Sequence, residues 1–490
     1  MVVEGSILLL GAFFALLLVG VPVGVALGLS GFAVIGVHGL GVMALPTNIW
    51  TGVAKYPLLA LPMFVLAGMM FERSGVAERL VRFASSLVGQ RRGGLAVVAV
   101  LVCMILGGIS GSGAADAAAV SAVMLPSMLR QNYPRPYIAS LIAAAGSTAV
   151  LIPPSIPFIV YAVLVPGVSV QALFVGGLIP GLLVGAALMI PAVALARVRG
   201  FGAPEPGETR PPIGRSFVDA AWGLAAPVVI LGGLRTGLFT PTEAAVVAVF
   251  YGLFVGSAIY RTLGPREIYE CLRDSAEISA VVLVIVALAS IFAYAGATVG
   301  AFDSLARGLL ALTSSDWAMK LLIMLLVLLA GMLIDAISIF LVFLPILLPI
   351  ARAFGWDLTW FGIVLTMNVA IGSFTPPMAV NLMVTCKVAG CSIEETVPWV
   401  MWFVLAMLGA LGLWSCSSPT SHWRCREPSA ICKPFRSRAR PLHRLGHCCG
   451  RTTSAGVWTR VSRVQARTSG EDALSQDVVG DKLVQQSTPG

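Results

Sequence analysis

From position 7 to position 37 the chain runs without a single charged side chain. A helix crosses the hydrocarbon of a bilayer with about 20 such residues. Comparable apolar stretches recur at 56–71, 172–196, 279–297, 317–332 and 397–414. Only 11% of the 490 residues are charged, against 58% hydrophobic. Soluble domains carry roughly 25% charged residues. A polar surface cannot cover such a chain, so lipid is its solvent. The expectation is an all-α polytopic membrane protein with roughly ten or more membrane segments. The first run lacks a basic leader and flows into further apolar segments, so it reads as membrane helix rather than cleavable signal.

Residues 1–416 form the expected membrane domain, and the character of the chain changes after it. From position 415 onward there are twelve Lys and Arg against five Asp and Glu, which carries +7 of the formal +9. Five of the nine cysteines also lie there. No helical or strand period is visible. The segment 417–490 reads as a disordered or frameshifted tail. A small metal site using His443, His447 and Cys448 is the alternative. Cys103, Cys271, Cys386 and Cys391 show no disulfide or metal spacing.

Positive charge marks the cytoplasmic side of short loops. Basic loops fall at 73–92, 130–135, 197–215 and 261–273. The apolar stretch 95–129 lies between two of them, so a single crossing would put its flanks on opposite sides. A re-entrant hairpin reconciles the two flanks, turning at Gly107-Gly-Ile-Ser-Gly-Ser-Gly113. Irregular backbone at membrane depth survives only where protein or a watery cavity satisfies it. The stretch 319–351 repeats the pattern around Gly331-Met-Leu-Ile-Asp335-Ala-Ile-Ser338. Its flanks carry Lys320 and Arg352, so it is expected to enter from the opposite side. Phe64-Val-Leu-Ala-Gly68 also recurs loosely as Phe292-Ala-Tyr-Ala-Gly296.

A stronger match follows each hairpin: Gly146-Ser-Thr-Ala-Val-Leu-Ile-Pro153-Pro154-Ser-Ile-Pro157 and Gly372-Ser-Phe-Thr-Pro376-Pro377-Met-Ala-Val-Asn381. Pro153 and Pro376 are 223 positions apart, as are Gly108 and Gly331. A weak internal repeat of inverted topology is the signature of a secondary transporter. The two repeats are expected at about 52–165 and 275–387, each with a re-entrant hairpin and a Pro-Pro-broken helix, with scaffold helices elsewhere.

Proline removes a backbone donor and clashes with the carbonyl four residues earlier. The two breaks free carbonyls around 147–151 and 372–375. Sodium, coordinated by carbonyl and hydroxyl oxygens, would satisfy them. Ser110, Ser112, Ser147, Thr148, Ser338, Ser373 and Thr375 supply the hydroxyls. Helices restarting after each break present N–H groups and a positive dipole end, which suits an anionic solute. A carboxylate at membrane depth is functional by default. Asp116 either ligates sodium or caps the restarted helix, the cap being favoured. Asp335 is expected to bind the cation or organise the second tip. Thr240-Pro-Thr-Glu243 reads as a capping box that opens a scaffold helix. No phosphate-binding loop and no clustered catalytic set appears, and His38 is the sole histidine before the tail. ATP hydrolysis and enzymatic chemistry are therefore not expected, and neither is a cofactor.

Gly107–Asp116, Leu151-Ile-Pro-Pro-Ser-Ile-Pro157, Gly237-Leu-Phe-Thr-Pro-Thr-Glu-Ala-Ala245 and Phe374-Thr-Pro-Pro377 together resemble the large membrane subunit, DctM, of TRAP (tripartite ATP-independent periplasmic) transporters. The resemblance spans residues 1 to about 414. It implies a multi-pass inner-membrane permease for small organic anions such as C4-dicarboxylates, with sodium as the coupling ion and an elevator motion. It implies two partners, a small four-helix membrane subunit and a periplasmic substrate-binding protein, and no role for nucleic acid. One sodium site would use Ser110, Gly111, Ser112, Ser147 and Leu151. The other would use Asp335, Ser338, Gly372 and Thr375. The solute would lie between the tips, against Ser112, Thr148, Pro154, Ser155, Thr375 and Asn381. A stand-alone sodium/dicarboxylate symporter of related inverted-repeat design is the alternative.

Overall fold

The computed structural model describes residues 2–88, 91–203 and 212–416. The tail at 417–490, with its disordered, frameshifted and metal-site readings, lies outside the described residues. Within them every regular element is helical. The first apolar run is not one helix. It breaks between α1 (Val2–Leu18) and α2 (Val23–Val37), where Gly20 takes φ +89 and Pro22 precedes the second helix. Proline has no N–H to give the preceding turn but has a φ preset for a helix start, so it separates the two.

The chain continues through α3 (Ala44–Val53), α4 (Ala60–Arg73), α5 (Val76–Val88), α6 (Gly94–Ser110), α7 (Gly113–Arg130), α8 (Arg135–Gly146) and α9 (Ile156–Leu164). Three helices follow: α10 (Val170–Arg199), α11 (Ile213–Thr236) and α12 (Pro241–Phe254). Then come α13 (Pro265–Thr298), α14 (Ala301–Leu312), α15 (Asp316–Gly331), α16 (Ala336–Ala353), α17 (Leu358–Gly372), α18 (Val380–Ala389) and α19 (Ile393–Cys416). α7 and α16 both have 18 residues and start 223 positions apart, at Gly113 and Ala336. α8 and α17 start the same distance apart, at Arg135 and Leu358.

Among the described residues six helices are long and apolar enough to cross a membrane, or seven if α3 and the segment Tyr56–Arg73, bent by 61°, form one span. That is fewer than the ten or more segments expected. Glycine and proline breaks cut the remaining apolar sequence into pieces of 10–17 residues, among them α2, α6, α17 and α18.

Two sequence expectations are corrected by packing. Gly68 faces the backbone of Ser110, whereas Gly296 faces Phe302 and Leu9. The loosely matching pentapeptides therefore do not put their glycines in equivalent places. Lys320 is only 4% exposed and pairs with Asp316 at 2.7 Å, one turn earlier. A buried, paired ammonium is not a topological marker in a watery loop, so it says nothing about the side from which the second hairpin enters.

Lipid tails are as apolar as leucine, so helices in a bilayer associate through close packing of small residues rather than by escaping water. That packing is evident between α2 and α13: a Cβ on Gly31 would lie 2.9 Å from the Phe292 nitrogen. Large side chains such as Phe14, Ile190 and Phe250 stay exposed on the outside. Such a surface would be an aggregation hazard in water and is at home in lipid. The interior divides between a large cluster that includes α6–α8, α10, α15–α17 and α19, and a smaller one formed chiefly by α1, α2, α13 and the start of α14. The capping box at α12 is present: the Glu243 nitrogen donates to Thr240 Oγ1, and the Thr240 nitrogen donates to Glu243 Oε2 at 2.8 Å.

Candidate functional site

The turn between α6 and α7 is the first hairpin tip. Gly111 ends α6 in the left-handed region, with φ +64. A Cβ there would lie 2.2 Å from the Pro154 carbonyl oxygen, so both conformation and space demand glycine. Ser112 stands at the N-cap of α7, yet its side chain makes no cap hydrogen bond. Asp116 is not the cap either. It sits a full turn inside α7 and reaches back to the end of α6, where Ser110 Oγ donates to its Oδ1 at 2.6 Å. The Ser112 nitrogen donates in turn to Ser110 Oγ at 3.2 Å. The favoured reading of Asp116 as a cap is thus corrected: it ties the two arms together, and its remaining oxygen, Oδ2, is buried without a hydrogen-bond partner.

The second tip, between α15 and α16, uses its carboxylate differently. Asp335 is the N-cap of α16. It accepts from the Ile337 and Ser338 nitrogens, at 3.0 and 3.3 Å, and from Ser338 Oγ at 2.5 Å. Ser338 is fully buried, while Asp335 itself is exposed.

Each hairpin tip packs on the break of its own half. In the first half α8 ends at Gly146, a short 3-10 turn covers Ser147–Val150, and α9 begins at Ile156. In the second, α17 ends at Gly372 and α18 begins at Val380. The Pro153–Pro154 and Pro376–Pro377 bonds are both cis. A Cβ on Gly107 would lie 2.5 Å from Ala149 Cα, and one on Gly372 would lie 2.5 Å from the Gly331 carbonyl carbon. The Met378 nitrogen also donates to the Met332 oxygen at 3.3 Å.

Hydroxyls at the breaks follow one pattern. Ser147 donates to the Ala144 oxygen, Thr148 to Ala145, Ser373 to Ala370 and Thr375 to Ile371, each at 2.6 to 2.8 Å. With its hydrogen engaged one turn back, such an oxygen keeps lone pairs to offer a cation but has no proton to offer an anion. Ser155 behaves likewise: as N-cap of α9 it donates to the Val150 oxygen at 2.5 Å. Among the residues expected to meet the solute, Thr148, Ser155 and Thr375 therefore stand here as acceptors. Thr148 and Ser155 have no exposed surface.

The halves also interlock. Asn381, at the start of α18, is 3% exposed and donates through Nδ2 to Ser373 Oγ at 3.2 Å. It also lies against Gly113 at the first tip, where a Cβ would be 3.1 Å from its Nδ2. Reciprocally, Tyr161 of α9 donates to the Leu358 oxygen at 2.7 Å and stacks edge-on against Phe340 of α16. Gly111 touches Ser155, and Ile156 and Ile337 pack on one apolar cluster. The N-termini of α7, α9, α16 and α18 are thus linked neighbour to neighbour. Sequence reading missed Glu72, on the face of α4 that carries Gly68. It closes an apolar helix beside Arg73 and reads as the start of a basic loop; only its spacing of four from Gly68 hints at an inward face.

A family model described as the DctM component of the tripartite ATP-independent periplasmic transporter matches residues 10–418. Curated relatives match over most of the chain. The isethionate TRAP transporter permease protein DctMQ of Oleidesulfovibrio alaskensis is 37% identical over 82% of this chain, which spans 64% of that longer protein. The C4-dicarboxylate TRAP transporter large permease protein DctM of Pseudomonas aeruginosa is 38% identical over 77% of this chain and 89% of its own length. The 2,3-diketo-L-gulonate TRAP transporter large permease protein YiaN of Escherichia coli is 36% identical over 83% of this chain and 95% of its own length.

Proposed function

This chain belongs to the DctM family of tripartite ATP-independent periplasmic transporters, and on that premise we propose that it imports small organic anions down a sodium gradient. As a family member it is a multi-pass inner-membrane transport subunit and not an enzyme. It works with a small four-helix membrane subunit and a periplasmic substrate-binding protein. Its relatives are named for isethionate, a C4-dicarboxylate and a diketogulonate. The solute of this chain is accordingly a small anion, C4-dicarboxylates among the candidates.

The observation that carries the reading is the pairing of each glycine-tight hairpin tip with the proline break of its own half. Sodium binds at two such places. One comprises Ser110, Gly111, Ser112, Ser147 and Leu151; the other comprises Asp335, Ser338, Gly372 and Thr375. Hydroxyl lone pairs and freed carbonyls are oxygen ligands of the kind a hard monovalent cation takes. The solute sits between the tips near Ser112, Thr148, Pro154, Ser155, Thr375 and Asn381, where the N-termini of α7, α9 and α18 favour negative charge. Filling the cation sites draws each tip onto its break and completes the solute site, which couples the two. The constant 223-residue spacing of α7 with α16 and of α8 with α17 supports two inverted repeats. The hairpin-bearing core then slides as an elevator against scaffold helices that include α12.

The test is uptake into proteoliposomes holding this chain and its small subunit. Uptake is expected only with an inward sodium gradient and added solute-loaded binding protein. Equal uptake by this chain alone would establish the stand-alone symporter instead, and uptake indifferent to sodium would refute the coupling.

A further inference from the structure

A small cavity lies against the first tip, and no residue of the proline break lines it. Glu72 and Gly68 of α4 wall it on one side, Leu106, Ile109 and Ser110 of α6 on another, and Asp116 of α7 closes it. The approach of α4 is enforced by Gly68, where a Cβ would lie 3.0 Å from Ser110 Cα. Glu72 follows one turn later on the same helix and so comes to the same cavity. Asp116 is 4% exposed; its Oδ1 accepts from Ser110, while Oδ2 has no partner. A buried carboxylate oxygen without a partner is costly to maintain, and most such atoms in folded proteins are satisfied by a protein group, water or an ion.

We propose that Asp116 and Glu72, with Ser110, form a third cation site, separate from the two sites at the proline breaks and filled by sodium. The donor set decides the class of ion. Every polar side chain in the cavity wall supplies oxygen. Among the described residues no three His, Cys, Asp or Glu side chains converge as a transition-metal site would require. A calcium ion takes six to eight oxygens, more than this small cavity offers. One monovalent ion leaves Asp116 Oδ2 ligated and offsets part of the charge of the two carboxylates. Ser110 lies between this site and, on the reading above, the first break site; with its hydrogen on Asp116 and one lone pair on the Ser112 nitrogen, it keeps one lone pair for a cation. An ion here fixes the arm-to-arm bond from Ser110 to Asp116, and α4 becomes a sensor of the hairpin's position.

The inference rests on sodium coupling but is tested apart from it. In the purified full-length chain with its small subunit, the rise of the thermal midpoint with sodium concentration counts the ions bound. Potassium at equal ionic strength controls for screening. Asp116→Asn keeps the bond from Ser110 and removes the charge; Glu72→Gln changes only a half-buried wall of the cavity. Each is expected to lower the count by one ion and to leave the midpoint in potassium near the wild-type value. An unchanged count in Glu72→Gln, or in a folded Asp116→Asn, overturns the site, as does a loss of stability in potassium equal to that in sodium. If sodium stabilises through Asp116 while uptake ignores the sodium gradient, the site stands and the coupling proposal fails.

Discussion

The two hairpin tips solve one problem with the carboxylate in different places. At the second, Asp335 stands at the N-cap and takes three donors from the first turn of α16. At the first, the equivalent position, 223 residues earlier, is Ser112, which caps nothing. The carboxylate has moved one turn into α7, where Asp116 reaches across to Ser110. An N-cap carboxylate neutralises the positive end of its own helix. Moving it inward leaves the N–H groups of α7 without a side-chain acceptor from within. The N-terminus of α7, bordered by Ser155 and Asn381, thereby stays open to meet an anion, whereas the carboxylates at this tip, Asp116 and Glu72, line the cavity against α4. The second tip is self-satisfied, exposed and anionic, and suits a cation.

That contrast can be broken in graded ways. The largest effect is expected from Gly107→Val and Gly372→Val, whose added Cβ atoms would meet backbone at 2.5 Å. Overpacking costs about 1–3 kcal/mol, and more where backbone must move. Both variants should lose transport altogether, and size-exclusion profiles should show less folded protein. Gly409→Val, which meets nothing within 4 Å, should match wild type. Equal tolerance of all three would mean that the tips do not depend on close contact with the breaks.

Asp335→Ala and Ser112→Ala test the caps directly. Removing a working N-cap costs about 0.5–2 kcal/mol. Asp335→Ala should lower the thermal midpoint by about 1–2 °C and Ser112→Ala hardly at all, so a reversed order would invalidate the comparison. Thr375→Ala should raise the half-saturating sodium concentration for uptake roughly tenfold, which is about 1.4 kcal/mol. Ser147→Ala should do the same in the other half, and an unchanged sodium dependence in both would remove the break sites. Glu243→Ala, at the capping box of α12, should lower the thermal midpoint slightly while sparing the sodium dependence. Deleting residues from Ser417 onward should leave insertion and uptake at wild-type level, measured on the same proteoliposomes.

Much of this was legible without coordinates, because the bilayer leaves few choices. A charge-free run of sufficient length must be helix, and a proline pair must break one. Those rules located both inter-helix turns, both breaks, their constant spacing and the capping box at Thr240. They did not foresee that Gly20 and Pro22 divide the first continuous apolar run into two helices. They misread Lys320, since a sequence does not reveal that Asp316 and three tryptophan rings enclose it.

The sequence by itself determined that the chain is helical, lives in lipid and carries two matching breaks, for each follows from local backbone chemistry and the absence of water. Only the tertiary structure decided which arm each carboxylate serves. Asp116 and Asp335 look alike on paper, acidic residues near glycine-rich turns. One bonds across to a neighbouring helix and the other caps its own, because the former lies a turn beyond the helix start and the latter lies at it. Whether Glu72 belongs with Asp116 was likewise undecidable until α4 had been brought against the tip by the missing side chain of Gly68. Contacts between distant segments depend on the approach of backbones, and in a membrane that approach is set by where the small residues of two helices meet.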